Sequence, residues 1–465
     1  MQLPILSGIY TDGDTRFRTA YPRNLRPVPK DTGIAAGYLA QAEGITLFAT
    51  GAGADRGGIN WNGTCYRVMG TSLVSVGSSG VITTIGTIAG ADYVRFDYSF
   101  DYLSISGGSN LYLYNGTTLT QVTDADLGIV RDAMWVDGYF MTTDGTYLVV
   151  TELNDPFSVN PLKYGSSEVD PDPVMALLKV RNEPHALNRY TIEAFDNVGG
   201  ELFPFQRIEG AQIQKGTVGR NACCLYMDAI AFVGGGRNEP VSVYVGANGN
   251  AVKISTDEID DTFSEYTEAV LRDCVVEARK VGAHDLLYIH LNDITLVYDG
   301  SASKALDRSV WYTLTSSVVG NGRYRARGHV WCYGKWIAGD PTSTTLGTLT
   351  DELSTHYGAE NGWEFSTAIV YNESRGAVFH SLELVSLTGR ISGVDPVVWA
   401  SYSLDGMSWS TEIPKAAGKY GERNRRIAWL QNGFMRDWRI QKFRGTSDAH
   451  IAIARLEAQL EPLNV

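Results

Sequence analysis

The feature that most narrows the folds open to this chain is a recurring unit of short strands with alternating apolar and polar residues. Glycine or Asn-Gly turns close the units, which return at intervals of roughly 35 to 60 residues. The stretch GGINWNGTCYRVMGTSLVSV (57–76) displays the unit clearly, with Trp61 and Tyr66 flanking Asn62-Gly63. An Asn-Gly pair between alternating strands predicts a type I′ hairpin turn, because both central positions need positive φ. Comparable units begin at Asp92, Asp132, Val174, Asn221, Ala283 and Ala326, making seven imperfect copies. A β-solenoid would repeat at shorter intervals, and a sandwich would not keep returning to three or four short strands around a tight turn. The expected core is an all-β propeller of six or seven blades over residues 44–357.

Composition agrees with frequent turns between aromatic-rich strands: 50 of 465 residues are glycine, 11% are aromatic and only 20% are charged. A hydrophobic content of 44% excludes a disordered chain. The net charge of −13 has the wrong sign for holding nucleic acid by phosphate neutralisation. No apolar run approaches the ~18 residues that would cross a bilayer. The first residues lack the basic and apolar regions of a signal peptide, with Asp12 and Asp14 following at once. Cys65, Cys223, Cys224, Cys274 and Cys332 have no CxxC spacing and sit beside apolar or aromatic residues, as reduced core thiols do. Cytoplasmic synthesis, with no membrane insertion, is expected. The Asn62, Asn115 and Asn372 sequons then read as turns.

Three segments depart from the blade texture. Residues 1–43 read as an extended arm: Pro4, Pro22, Pro27 and Pro29 forbid a long helix, and Arg16, Arg18, Arg23, Arg26 and Lys30 make it locally basic. Ser255-Thr256-Asp257-Glu258 offers a capping box before a stripe of Ile259, Phe263, Tyr266, Val270 and Leu271, predicting one inserted helix near 256–272. Its other face, with Asp257, Asp260, Asp261, Glu265 and Glu268, reads as a solvated acidic surface. From residue 358 to 465 the strands lengthen, as in FSTAIVY (365–371) and AVFHSLELVSL (377–387), predicting a separate C-terminal β-sandwich. That region carries a basic block of Lys415, Lys419, Arg423, Arg425, Arg426, Arg436, Arg439, Lys442 and Arg444, with Arg423, Arg425, Arg426, Arg436 and Arg439 as candidate interaction residues.

The search for catalytic chemistry is negative. H-E-x-x-H, G-x-S-x-G and P-loop patterns are missing, and GAGADRG (51–57) leads into a strand rather than a helix. His284, His290, His329 and His380 fall singly on alternating strands, so no metal or cofactor site and no catalytic residue is assigned. Asp124 with Asp126, Asp170 with Asp172, and Asp260 with Asp261 are spaced as turn aspartates are. The stretch 122–174 nevertheless holds ten acidic residues against Arg131 and Lys163. A surface of that sign suits a conduit through which DNA slides without sticking, and Asp124, Asp126, Asp170 and Asp172 are its candidate lumen-adjacent residues.

Several of these segments together resemble the tail-hub family of short-tailed bacteriophages, also called nozzle or packaged-DNA stabilisation proteins. The likeness runs through GITLFATGAGADRGGINWNGTCYRVMG (44–70), VDGYFMTTDGTYLVVTELNDP (136–156) and TIEAFDNVGGELFPFQRIEGAQIQKG (191–216). It continues in KISTDEIDDTFSEYT (253–267), GAHDLLYIHLNDITLVYDGS (282–301), VWYTL (310–314) and SYSLDGMSWS (401–410). Two departures are Asn24-Leu25-Arg26-Pro27, where relatives tend to place an acidic residue, and Ala283 between Gly282 and His284. The resemblance implies a structural protein of the virion tail: a homo-hexameric ring below the portal and its tail adaptor, extending the DNA channel. It further implies retention of the packaged genome until ejection, a distal needle or plug protein, tailspikes docking outside, and double-stranded DNA passing without specific binding. The rival reading is a glycan-binding or glycan-cleaving propeller with Trp409 of SLDGMSWS facing sugar.

Overall fold

A computed structural model of the chain describes residues 1–11, 18–31, 33–373, 375–389, 396–446, 449 and 451–463, with 18–20 described by backbone alone. Arg16 of the expected basic arm lies outside the described residues. Between residues 44 and 350 the chain folds into seven antiparallel sheets of four or five strands. The first, Asp55–Trp61, Thr64–Met69, Ser72–Val76 and Ile82–Thr87, is an up-and-down meander in chain order. Its first turn is the expected Asn-Gly hairpin: Trp61 pairs with Thr64, and Asn62 and Gly63 have φ of 51° and 78°. Trp61 then packs 5.8 Å from Tyr66 and 6.1 Å from Tyr114 of the next sheet. One hairpin thus sets both a strand register and an inter-sheet contact.

The innermost strands touch in turn: Asp55–Trp61, Arg95–Tyr98, Asp132–Val136, Val174–Val180, Cys223–Tyr226, Val275–Val281, Arg327–Cys332, and back to Asp55–Trp61. That closed circuit makes the array a propeller. The seventh sheet takes three strands from residues 327–350 and its outermost from Gly44–Thr50, which pairs with Thr345–Thr350. Closure by an early strand ties the two ends of the array together and removes two free sheet edges.

The segment read as an arm has a different role. Leu25–Pro29 and Gly37–Gln41 form a hairpin at the edge of a sandwich sheet, in the order Leu25–Pro29, Gly37–Gln41, Ala452–Pro462, Ala377–Leu387, Ile427–Leu430. Gln2–Leu3 pairs with the same Ala452–Pro462 strand. Pro27 and Pro29 are tolerated because their strand is the outermost, where a missing amide donor breaks no ladder. The prolines exclude a helix, but they do not exclude an edge strand. Leu3, Leu25 and Leu39 consequently join Trp363, Phe379, Trp429 and Phe443 in one core. The second sheet is Gly362–Ser366, Trp438–Thr446, Val397–Ser403 and Ile413–Ala416. The expected alternation of Ala377–Leu387 is present but slips phase at His380, where a bulge between Phe379 and Ser381 shifts its pairing with Ala452–Pro462.

The single helix expected near 256–272 is two: α1 (Asp257–Ser264) and α2 (Glu268–Arg272). Thr267 is extended, with ψ of 155°, and restarts the second. The capping box does not form: Thr256 makes no side-chain cap bond, and Glu258 instead accepts from the Thr11 amide and hydroxyl at 3.0 and 2.9 Å. A longer-range partner outcompetes the local one. The acidic face is partly paired, Asp260 with Lys253 and Glu268 with Arg189 and Arg272. A third helix, α3 (Gly300–Leu306), lies within a stretch read as strand; Asp299 caps it by accepting from the Ala302 amide at 2.8 Å. Among the described residues no helix is long and apolar enough to cross a membrane.

Candidate functional site

Innermost propeller strands splay apart, so the amides facing the next sheet need acceptors from side chains. Buried carboxylates supply them. Asp97 accepts from the Trp135 amide at 2.7 Å, Asp132 from the Leu177 amide at 2.9 Å, and Glu277 from the His329 amide at 2.8 Å, each time on the following sheet. Asp55 takes both forks of Arg67, at 2.6 and 2.8 Å, while Arg67 also donates to the Gly328 carbonyl at 3.0 Å. Both side chains are essentially fully buried, so this ion pair fastens the first sheet to the seventh away from water. Gly339 leaves room for it: a Cβ there would lie 2.0 Å from the Asp55 carboxyl carbon. Arg56 does the same for the first and second sheets, donating to the carbonyls of Asp92 and Gly70 at 2.7 and 2.9 Å. A central cavity of about 300 Å³ remains, lined in part by Tyr93, Arg95, Cys223 and Cys224. Arg95 on its wall is engaged in structure: it donates to the Arg220 carbonyl at 2.6 Å and lies 3.5 Å from Asp132.

Two of the histidines read singly from the sequence come together. His290 Nε2 is 2.6 Å from Glu277 Oε1, and His329 Nδ1 is 2.9 Å from the same oxygen. Burial opposes ionisation of Glu277, but the imidazoles of His329 and His290 outweigh it and hold the carboxyl well below its usual range. Burial lowers the His290 pKa despite the Glu277 contact. Tyr288 and Tyr324 stack on His290 at centroid distances of 6.0 and 6.4 Å. Sequence reasoning missed the cluster because its members come from two sheets whose relative register no local pattern encodes. The alternation in HDLLYIH could at most have set His290 on the same face as Leu286 and Tyr288. His284 lies at the other end of that strand, 2.6 Å from Asp299, and His380 is at the surface beside Glu461 at 2.7 Å.

The four candidate aspartates lie in two successive inter-sheet loops. Asp124 accepts from the amides of Asp126 and Val159 at 2.9 and 3.0 Å. Asp172 accepts from the Tyr190 amide at 2.5 Å, and burial pushes its carboxyl up. Asp170 pairs with Arg237 at 2.8 Å, and Asp126 is exposed. Asp124 therefore builds its own turn and Asp172 braces the turn at 188–191.

The basic block divides in the same way. Arg423, Arg425 and Arg436 are exposed, and Arg426, also exposed, grips Glu383 through two bonds of 2.9 and 2.6 Å. Arg439 is a correction: it is fully buried between Phe379 and Tyr402, 4.1 and 3.8 Å from the ring centroids, and donates to the Asn432 carbonyl at 2.6 Å. Burial pushes its pKa down to about 10. Its place on a strand with inward-facing Ile440 and Phe443 as neighbours, rather than in the 417–426 loop, is what removes it from the surface. In SLDGMSWS, Asp405 accepts from the amides of Met407 and Ser408 at 2.9 and 2.7 Å, and Lys442 covers the Trp409 ring at 4.1 Å. That is turn chemistry with the indole face already occupied.

The chain was compared with known proteins. The family described as Bacteriophage P22 Gp10, beta-propeller, matches residues 1–354, and Bacteriophage P22 Gp10, beta-sandwich, matches residues 362–461. The tail hub protein gp10 of Salmonella phage P22 is 26% identical over 484 residues, covering 99% of each chain. Among solved structures, the Pan2 WD40 domain of Neurospora crassa is similar at a TM-score of 0.42 and 12% identity, over 66% of this chain and 95% of that one. Hsv2 of Kluyveromyces lactis is similar at 0.36 and 8% identity, over 71% and 95%. With both family domains present in order along the sequence, the chain belongs to the bacteriophage P22 Gp10 family.

Proposed function

We propose that this chain is the tail hub of a short-tailed phage, a ring of six copies below the portal and its adaptor that extends the DNA channel and retains the genome until ejection. The coarser statement, a structural protein of a phage tail, follows from the family and its relative. The observation that carries the finer reading is the match of nearly the whole chain to a tail hub protein. A closed ring built by head-to-tail contacts needs two different faces on each subunit, and a propeller fastened to a sandwich supplies them. The net charge of −13 suits a wall past which DNA moves without adhering. A distal needle or plug and externally docked tailspikes complete the proposed set of partners.

The test is negative-stain microscopy and native mass spectrometry of the purified chain with and without its adaptor. Closed six-membered rings on adaptor addition are expected. Copies that bind singly at saturating adaptor, with no ring, would refute the reading.

A further inference from the structure

We propose that Glu277, His290 and His329 form a site for a divalent transition metal of the zinc class, cross-linking the sixth and seventh sheets. One ligand atom from each residue lies within 4.8 Å of the others. The strands Val275–Val281 and His284–His290 belong to the sixth sheet and Arg327–Cys332 to the seventh, so the group bridges two sheets. Two imidazoles and one carboxylate are a donor set for zinc and its first-row neighbours, whereas calcium and magnesium take oxygen.

The ligands are held from behind, as metal ligands commonly are. His290 Nδ1 lies 3.2 Å from the Thr295 hydroxyl, which fixes the ring with Nε2 facing Glu277. The Glu277 carboxylate is fixed by the amides of Gly328 and His329 at 3.2 and 2.8 Å. The second observation is His329 itself. Its side chain is 1% exposed, yet neither ring nitrogen makes a directed hydrogen bond, even with Nδ1 2.9 Å from Glu277 Oε1. Buried polar groups are rarely left without a partner, and a metal supplies one. Arg327, the cation two residues away, is turned onto the Tyr93 ring at 4.9 Å. Entry of the metal displaces the proton between His290 Nε2 and Glu277 Oε1: in the neutral ring it moves to Nδ1, which faces the Thr295 hydroxyl, and from an imidazolium it leaves to solvent. Three protein ligands leave a fourth position for water.

The experiment uses the full chain, stripped with chelator and titrated with Zn²⁺ under calorimetry, with bound metal measured by mass spectrometry. Binding of one equivalent and a thermal midpoint raised by several degrees are expected. His329→Phe keeps the ring volume against Tyr288 and should fold while losing both the bound metal and the shift. No metal and no shift in the parent chain, or equal binding by H329F, overturns the proposal. Should H329F fail to fold, Co²⁺ in the parent chain decides. Ligand-field bands without thiolate charge transfer support the site; thiolate absorption, or no bands, refutes it.

Discussion

Removing residues 1–30 should unfold the sandwich and leave the propeller standing. The deletion takes away Gln2–Leu3 and Leu25–Pro29, and with them Leu3, Leu25 and Val28, which are 2%, 0% and 6% exposed. At roughly 1.5–3 kcal/mol for each buried aliphatic side chain, about 5–9 kcal/mol of burial is lost. Asn24 adds to this: its side chain accepts from the Thr315 amide at 2.9 Å and donates to the carbonyls of Thr315 and Gly362 at 2.9 and 2.7 Å. The total matches or exceeds the stability of many whole domains, about 5–15 kcal/mol. The propeller loses Ile9 and the Thr11 bonds to Glu258 but keeps its closing strand Gly44–Thr50 and so keeps its ring. Hydrogen exchange read by mass spectrometry separates the two outcomes. Peptides across Ala377–Leu387 and Ala452–Pro462 should lose protection, and those across Thr64–Met69 should retain it. Protection of the sandwich peptides at the full-length level would show that the N-terminal strands are dispensable and that the burial argument is wrong. Leu25→Ala alone, at about 2–5 kcal/mol, is the graded version.

Asp55→Asn leaves the Arg67 guanidinium buried without its counter-charge and should cost about 3–5 kcal/mol in urea unfolding; a loss under 1 kcal/mol would contradict the inter-sheet role. His356 has its pKa pushed down to about 3 by burial and then by Arg325. The unfolded histidine titrates near 6.5, so its stabilising contribution is complete above that pH and lost as pH falls toward the folded value. By pH 4.5 about 3 kcal/mol should be gone, and His356→Gln should flatten that part of the pH profile; an unchanged slope would exclude this histidine as the cause. Asp126 and Glu168 are exposed, so reversing both to lysine tests the acidic surface without breaking the turns held by Asp124 and Asp172. Slower genome ejection that recovers as salt rises is expected, and a defect indifferent to salt defeats the electrostatic mechanism.

The parts of this fold legible in the sequence are those written in local chemistry. Asn62-Gly63 prescribes its own φ values, and alternation in AVFHSLELVSL prescribes a half-buried strand. What was not legible depends on partners far along the chain. Leu25-Arg26-Pro27-Val28-Pro29 carries no strand signature until Gly37–Gln41 and Ala452–Pro462 stand beside it. Glu258 looks like a capping residue until Thr11, 247 positions away, claims it. Arg439 sits among basic residues in sequence and between two aromatic rings in space. Asp124 and Asp172 carry two readings: their spacing is that of turn aspartates, which their bonds to backbone amides fit, while a charge count sees only an acidic surface.

The N-terminal strands also determine how the sandwich is joined to the propeller. A sandwich joined to a propeller by one linker would be free to swivel. Here the chain starts in the sandwich at Gln2–Leu3, docks on the propeller at Ile9 and Thr11, returns to the sandwich for Leu25–Pro29 and Gly37–Gln41, builds the propeller, and re-enters the sandwich at Gly362. The last two crossings are bound to each other: the Gly44 amide donates to the Leu353 carbonyl at 3.0 Å and the Tyr357 amide to the Ile45 carbonyl at 2.7 Å. Asn24 joins both to the end of the sixth sheet through Thr315 and Gly362. Rotation about the joint would break buried bonds on two strands at once, so the angle between the two bodies is fixed by the fold before any neighbour binds. In a ring, each subunit's two faces must meet their neighbours at one set angle for the circuit to close. In the proposed ring, a joint of this kind supplies that angle without an ordering cost at assembly.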